Sequence, residues 1–65
     1  MYIIADLTLL NKLEVCVWKC EDKERYDVEV IDPEDLWNDN YDKQNLDAES
    51  VIRYISSLNY AKKKE

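Results

Sequence analysis

Apolar residues recur at nearly every second position through the first half of the chain and at helical spacing near its end, and that change of period predicts the elements. Residues 2–10 and 13–21 are rich in Ile, Leu, Val and Trp and are separated by Asn11-Lys12. Asn tolerates the positive φ that a two-residue hairpin turn demands, so the pair reads as two antiparallel strands joined by a tight turn. Leu10 then faces Leu13, and the pairing runs outward to Leu7 with Cys16, Ala5 with Trp18 and Ile3 with Cys20. One face of that hairpin is apolar throughout.

Residues 25–32 alternate cleanly, with Tyr26, Val28 and Val30 pointing one way and Arg25, Asp27 and Glu29 the other. An odd connection at Asp22-Lys23-Glu24 pairs Cys20 with Tyr26, Trp18 with Val28 and Cys16 with Val30. It also sets Glu21 against Arg25 and Lys19 against Asp27, where opposite charges stabilise. An even connection puts Trp18 against Asp27 and Cys16 against Glu29, so register and charge both favour the odd one. With no glycine in the chain, Asp22 or a looser loop must supply the turn.

Ile31-Asp32-Pro33-Glu34-Asp35-Leu36 carries the marks of a helix start: Asp32 as N-cap, Pro33 at the first helical position, acids in the first turn, and Ile31 reaching Leu36 as a hydrophobic staple. This helix is expected to be short, because Asn38-Asp39-Asn40 favour turns. Leu46-Asp47-Ala48-Glu49-Ser50-Val51 repeats the same grammar. It opens a longer helix over about residues 48–61, with Val51, Ile52, Tyr54, Ile55 and Leu58 on its apolar arc and Arg53, Ser56, Ser57 and Tyr60 facing water. The predicted fold is α+β, a single small domain over residues 1–65. A three-stranded antiparallel β-meander is followed by a short helix and a longer C-terminal helix packed on one sheet face. The opposite sheet face, with Ile4, Leu10, Leu13, Val15 and Val17 among Asp6, Lys19, Glu21, Asp27 and Glu29, is expected to stay open.

Composition narrows the function classes. Sixty-five residues leave little room for an enclosed pocket, yet 46% apolar residues gathered in periodic segments are enough to fold. Cys16 and Cys20, four residues apart on one strand, lie ~13 Å from each other, beyond the ~7 Å that a disulfide spans. They read as small buried hydrophobes in a reducing compartment. No segment has the pattern of a signal peptide or the length of a membrane span, so a soluble, cytoplasmic protein is expected. The absence of histidine removes the commonest general base and metal ligand, and the absence of glycine removes every phosphate-cradling loop, so no enzymatic activity, cofactor or metal is expected.

One spacing resembles a metal motif: Asn38, Asn40, Asp42 and Glu49 fall at positions one, three, five and twelve of an EF-hand calcium loop. Asn stands where the pattern wants Asp, and Lys43 stands where the turn needs Gly. A structural linker is the better reading, with weak calcium binding a distant alternative. Lys62-Lys63-Lys64 complements a helix C-terminus, and the acidity of the chain disfavours direct nucleic-acid binding.

What remains is charge. Residues 26–42 hold seven carboxylates and no Lys or Arg, a local charge of −7 in a chain whose total is −6. Such a run is either a solvated surface that aids solubility or a docking surface for a cationic partner. The second reading selects Asp27, Glu29, Glu34, Asp35, Asp39 and Asp42 as contact charges, with Trp37 and Tyr41 as interleaved aromatic anchors. Trp37 could instead cover the end of the sheet. The expected function is that of a non-enzymatic binding protein that docks on a basic protein surface. In its most concrete form it inhibits a nucleic-acid-handling enzyme by occupying the groove as a nucleic-acid mimic. In size, acidity and lack of catalytic residues the chain is similar in character to phage anti-defence proteins such as anti-CRISPR inhibitors, although no motif matches a particular family. The alternative is a structural module that self-associates, as a homodimer for instance, through the open sheet face around Ile4, Val15 and Val17.

Overall fold

A computed structural model describes residues 1–60. Strands β1 (Tyr2–Thr8), β2 (Glu14–Lys19), β3 (Tyr26–Ile31) and β4 (Lys43–Leu46) are followed by helix α1 (Ala48–Leu58). The strands form one antiparallel sheet in the order β1-β2-β3-β4, so the fold is α+β, with four strands and one helix among the described residues where three strands and two helices were expected. Ala61 and the lysine run at 62–64 lie outside the described residues.

The first correction is at the hairpin turn. The Leu9 N–H donates to the Leu13 carbonyl and the Lys12 N–H to the Leu9 carbonyl, both at 2.9 Å, and Lys12 takes the positive φ of 79°. The connection is therefore the three residues Leu10, Asn11 and Lys12, a common hairpin form whose last residue is left-handed. Asn11 holds it from both sides: its Oδ1 accepts from the Leu13 N–H at 3.2 Å, and its Nδ2 donates to the Leu58 carbonyl at 2.7 Å. One extra turn residue moves the register by one and exchanges the faces of β2. Leu7 now pairs with Val15, Ala5 with Val17 and Asp6 with Cys16, and Ile4 is the extra residue of a bulge between Ile3 and Ala5.

The second connection is even, the alternative that charge pairing had disfavoured. Val15 pairs with Val30 and Val17 with Val28, while Trp18 faces Asp27 and Cys16 faces Glu29. The magnitudes explain the choice. Exposed cross-strand ion pairs contribute roughly 0.2–1 kcal/mol each, whereas fully burying a valine contributes roughly 1.5–3 kcal/mol. Val15 and Val17 are 0% and 2% exposed, so they belong to the core and not to the open face. Neither predicted ion pair forms: Lys19 lies opposite Tyr26, and its Nζ donates to the carbonyls of Cys20 at 3.0 Å and Lys23 at 3.2 Å. Those bonds secure a connection that has no glycine.

The core consists of Leu9, Leu13, Val15, Val17, Val28 and Val30 from the sheet side with Val51 and Leu58 from α1. Helix α1 begins as expected, with the Asp47 carboxylate accepting from the Ser50 N–H at 2.8 Å. Tyr54 and Ile55 are half-buried against the core, but Ile52 is exposed and falls off the arc.

No helix forms after Asp32. Its carboxylate accepts from the Glu34 N–H and its carbonyl from the Asp35 N–H, both at 2.9 Å, and a further turn closes from Asn38 to the Asp35 carbonyl. The Asn38 side chain then takes the Asn40 N–H at 2.8 Å, a local bond that competes with helix propagation. Leu36 and Trp37 are 71% and 95% exposed, so no apolar stripe is buried to hold a helix, and the Ile31–Leu36 staple is absent. In its place the chain returns as β4 along the free edge of β3.

Candidate acidic docking face

The face of the sheet turned away from α1 can be read directly from the register. Across β1, β2 and β3 its rows are Ile3, Trp18 and Asp27, then Asp6, Cys16 and Glu29, then Thr8, Glu14 and Ile31. Asp6, Glu14, Asp27 and Glu29 thus share one surface with Trp18, Cys16, Ile3 and Ile31, and no Lys or Arg occupies any of these positions. Neighbouring strands are ~4.8 Å apart and alternate residues ~6.8 Å apart, so the carboxylates stand close enough to act as one field.

One hydrogen bond runs across this face, and its charges bear on Cys16. The Trp18 Nε1–H donates to Glu29 Oε1 at 3.3 Å across the β2–β3 pair. Burial raises the Cys16 pKa above its ordinary 9.0, and the charges of Asp6 and Glu29 raise it further. Cys16 is half-buried on this outer face, and Cys20, just past β2, is half-buried with its thiol donating to Asp22. Both thiols are free, but neither is the core hydrophobe that was expected.

The acids of residues 26–42 divide by structural duty. Asp27 Oδ1 accepts from the Asn45 N–H at 3.0 Å, opposite the irregularity where Asn45 takes φ 61°. Asp42 Oδ1 accepts from the Val30 N–H at 2.9 Å, so these two carboxylates stand in for ladder bonds at the two ends of β4. Asp32 is 7% exposed and caps its turn. Glu29 is exposed on the face, and Glu34, Asp35 and Asp39 are exposed on the turns that follow β3.

The two aromatics also separate. Trp37 is almost fully exposed and covers nothing, whereas Tyr41 is half-buried against the core and its carbonyl accepts from the Tyr54 hydroxyl. Tyr41 is thus a structural residue. Burial, then the Asp42 charge and Tyr41, raise the Tyr54 pKa above 10.0. Sequence reasoning placed Asp6 with Asp27 and Glu29 on the open face without counting it as a contact charge, and it missed Glu14 and Trp18 as members of that face. The signal was present in the alternation of 14–18, but it became readable only once the turn length was known.

The residues with EF-hand spacing are not arranged as a calcium loop. Asp42 is bonded to Val30, residues 43–46 are strand, and Glu49 Oε2 pairs with Arg53 Nη2 at 2.8 Å. Among the described residues no three Cys, Asp or Glu side chains gather to hold a metal ion. No helix among them is long and apolar enough to cross a membrane. No protein-family model, curated protein or solved structure matches this chain.

Proposed function

We propose that the outer sheet face is a docking surface for a basic region of another protein, and that the chain acts by occupying that region without chemistry. The observation that carries this reading is the register itself: Asp27 and Glu29 stand beside Trp18, and Asp6 and Glu14 continue along the same face, which α1 leaves uncovered, while Lys12, Lys23 and Arg53 lie elsewhere. Fixed carboxylates around an indole suit a cationic groove, with charge setting the encounter rate and orientation and the aromatic supplying the buried anchor. Glu34, Asp35, Asp39 and Trp37 extend the same charge past the end of β3. A groove built to hold a phosphate backbone is the most concrete target, because such a surface is read by charge and shape. Inhibition of a nucleic-acid-handling enzyme is the activity that follows.

The test is affinity capture from a lysate of the source cells with a salt gradient. The screening length falls from ~10 Å at 0.1 M to ~3 Å at 1 M ionic strength, so a partner held by charge elutes steeply, and duplex DNA competes for it. Asp6→Asn, Glu14→Gln and Glu29→Gln together should abolish capture, and Glu34→Lys, Asp35→Lys and Asp39→Lys together should weaken it. Retention of the same partner by the first triple variant at unchanged salt would exclude the outer face.

A second reading, self-association, is favoured by one observation: β1 is an outer strand of the sheet, and Met1, Tyr2, Ile3 and Ile4 are each about half exposed along it. With Val15 and Val17 buried, it is this strand that would join copies. Sedimentation at high micromolar concentration decides, and a strict monomer excludes it.

A further inference from the structure

We infer that the groove between Trp18 and the start of β4 is the anchor point of this surface and receives an arginine side chain of the partner. The inference rests on the docking reading above and assigns it a specific contact. The groove is open to solvent, has a volume of about 390 Å³ and is lined by Met1, Trp18, Asp27, Glu29, Asp42, Lys43 and Gln44 among others. That volume falls in the range of small-ligand sites, ~300–1,000 Å³.

Three features select the occupant. The walls combine Trp18 and Met1 with three acidic residues, Asp27, Glu29 and Asp42, so an indole stands beside concentrated negative charge. Each carboxylate accepts one bond within the chain, from Asn45, Trp18 and Val30 in turn. A carboxylate offers roughly four acceptor positions, which leaves capacity for a further donor. Two lining residues carry a cation, and each has a partner outside the Trp18–Glu29 pair: Lys43 pairs with Val28 on the helix side of β3 with its Nζ 5.6 Å from the centre of the Tyr54 ring, and the Met1 α-ammonium lies 3.6 Å from Glu21 Oε2.

The carboxylates do not converge on a point that could hold a metal ion, so the complementary ligand is an extended cation. A guanidinium fits both halves of the lining. Its plane stacks on an aromatic ring and its fork of N–H groups pairs with carboxylates, whereas an ammonium is a compact, strongly hydrated charge that does the first poorly.

The probe is a blocked Gly-Arg-Gly tripeptide at millimolar concentration, with blocked Gly-Lys-Gly as control, added to the full chain carrying Trp37→Phe so that Trp18 alone reports. The expected result is a saturable shift of the Trp18 indole N–H resonance and of the Glu29 and Gln44 amides, stronger for arginine. Glu29→Gln should weaken it by about tenfold, the loss of one charge-assisted contact. Asp39→Asn, on the distant turn, should leave it unchanged. No saturable shift, equal response to lysine, or shifts spread evenly to Asp6 and Glu14 would each overturn the inference. Partner capture through the whole face is a separate measurement, so failure of the groove and failure of the docking reading are distinguishable.

Discussion

Replacing Val17 by Thr and, separately, Cys16 by Thr tests the facing of β2, on which the whole acidic surface depends. The two positions are adjacent, both products are the same β-branched residue, and strand propensity is therefore matched. Val17 is 2% exposed and packed in the core, whereas Cys16 is half-buried on the outer face between Asp6 and Glu29. At position 17 the new hydroxyl loses its water without a designed partner, which costs about 1–3 kcal/mol. At position 16 it can keep water, and a change within about 0.5 kcal/mol is expected. A domain of this length is held by roughly 3–10 kcal/mol at ~0.05–0.15 kcal/mol per residue, so the Val17 change is a large part of the total. In thermal unfolding followed by circular dichroism it should lower the midpoint by about 4–24 °C, at roughly 4–8 °C per kcal/mol. Urea titration should give the same ranking with an unchanged slope. If Cys16→Thr proves the more damaging of the two, the strand faces the other way and the docking surface described above does not exist.

Asn11→Ala removes one bond to the hairpin and one to the end of α1, and at about 0.5–1.5 kcal/mol per bond it should destabilise by about 1–3 kcal/mol in urea unfolding. Asp42→Ala leaves the Val30 N–H without its acceptor and should cost about 1–3 kcal/mol, with faster amide hydrogen exchange at residue 30 as the direct readout. Asp47 is held below its ordinary pKa of 3.8 chiefly by the Ser50 side chain and then by its N–H. A depressed carboxylate stabilises the fold above its unfolded value and loses that contribution as pH falls through its folded value. Helix content should therefore drop more steeply below pH 3.8 in the native chain than in Asp47→Asn. The raised pKa of Cys16 predicts slow alkylation at neutral pH in the folded state, accelerated in Asp6→Asn because one opposing charge is gone; equal rates in the two proteins would count against the shared face.

The local signals in the sequence were sound where one element could be read without knowing its neighbours. Asp47, Ser50 and Val51 defined the helix start, and the alternation of Tyr26, Val28 and Val30 gave the inward side of β3 correctly. Errors arose where two local solutions competed. Asn11-Lys12 reads as a two-residue turn, but Asn11 also reaches Leu58, forty-seven positions away, and that contact belongs to the longer turn. The lysine and acid pairs of the odd connection were visible in sequence. The greater gain from burying Leu13, Val15 and Val17 together depended on α1 arriving over that face.

β4 illustrates the same limit. Lys43-Gln44-Asn45-Leu46 has neither alternation nor β-branched residues, and it becomes a strand because β3 offers a free edge and because Asp27 and Asp42 complete its hydrogen bonding. The amino-acid sequence by itself determined the class of the fold, the position of the helix and the acidity of its middle segment, since these follow from period, capping residues and composition. Only the tertiary structure decided which sheet face is covered and which acids remain on the surface. A one-residue change in turn length exchanges every side chain of a strand between core and solvent, and that length is chosen by contacts made far along the chain.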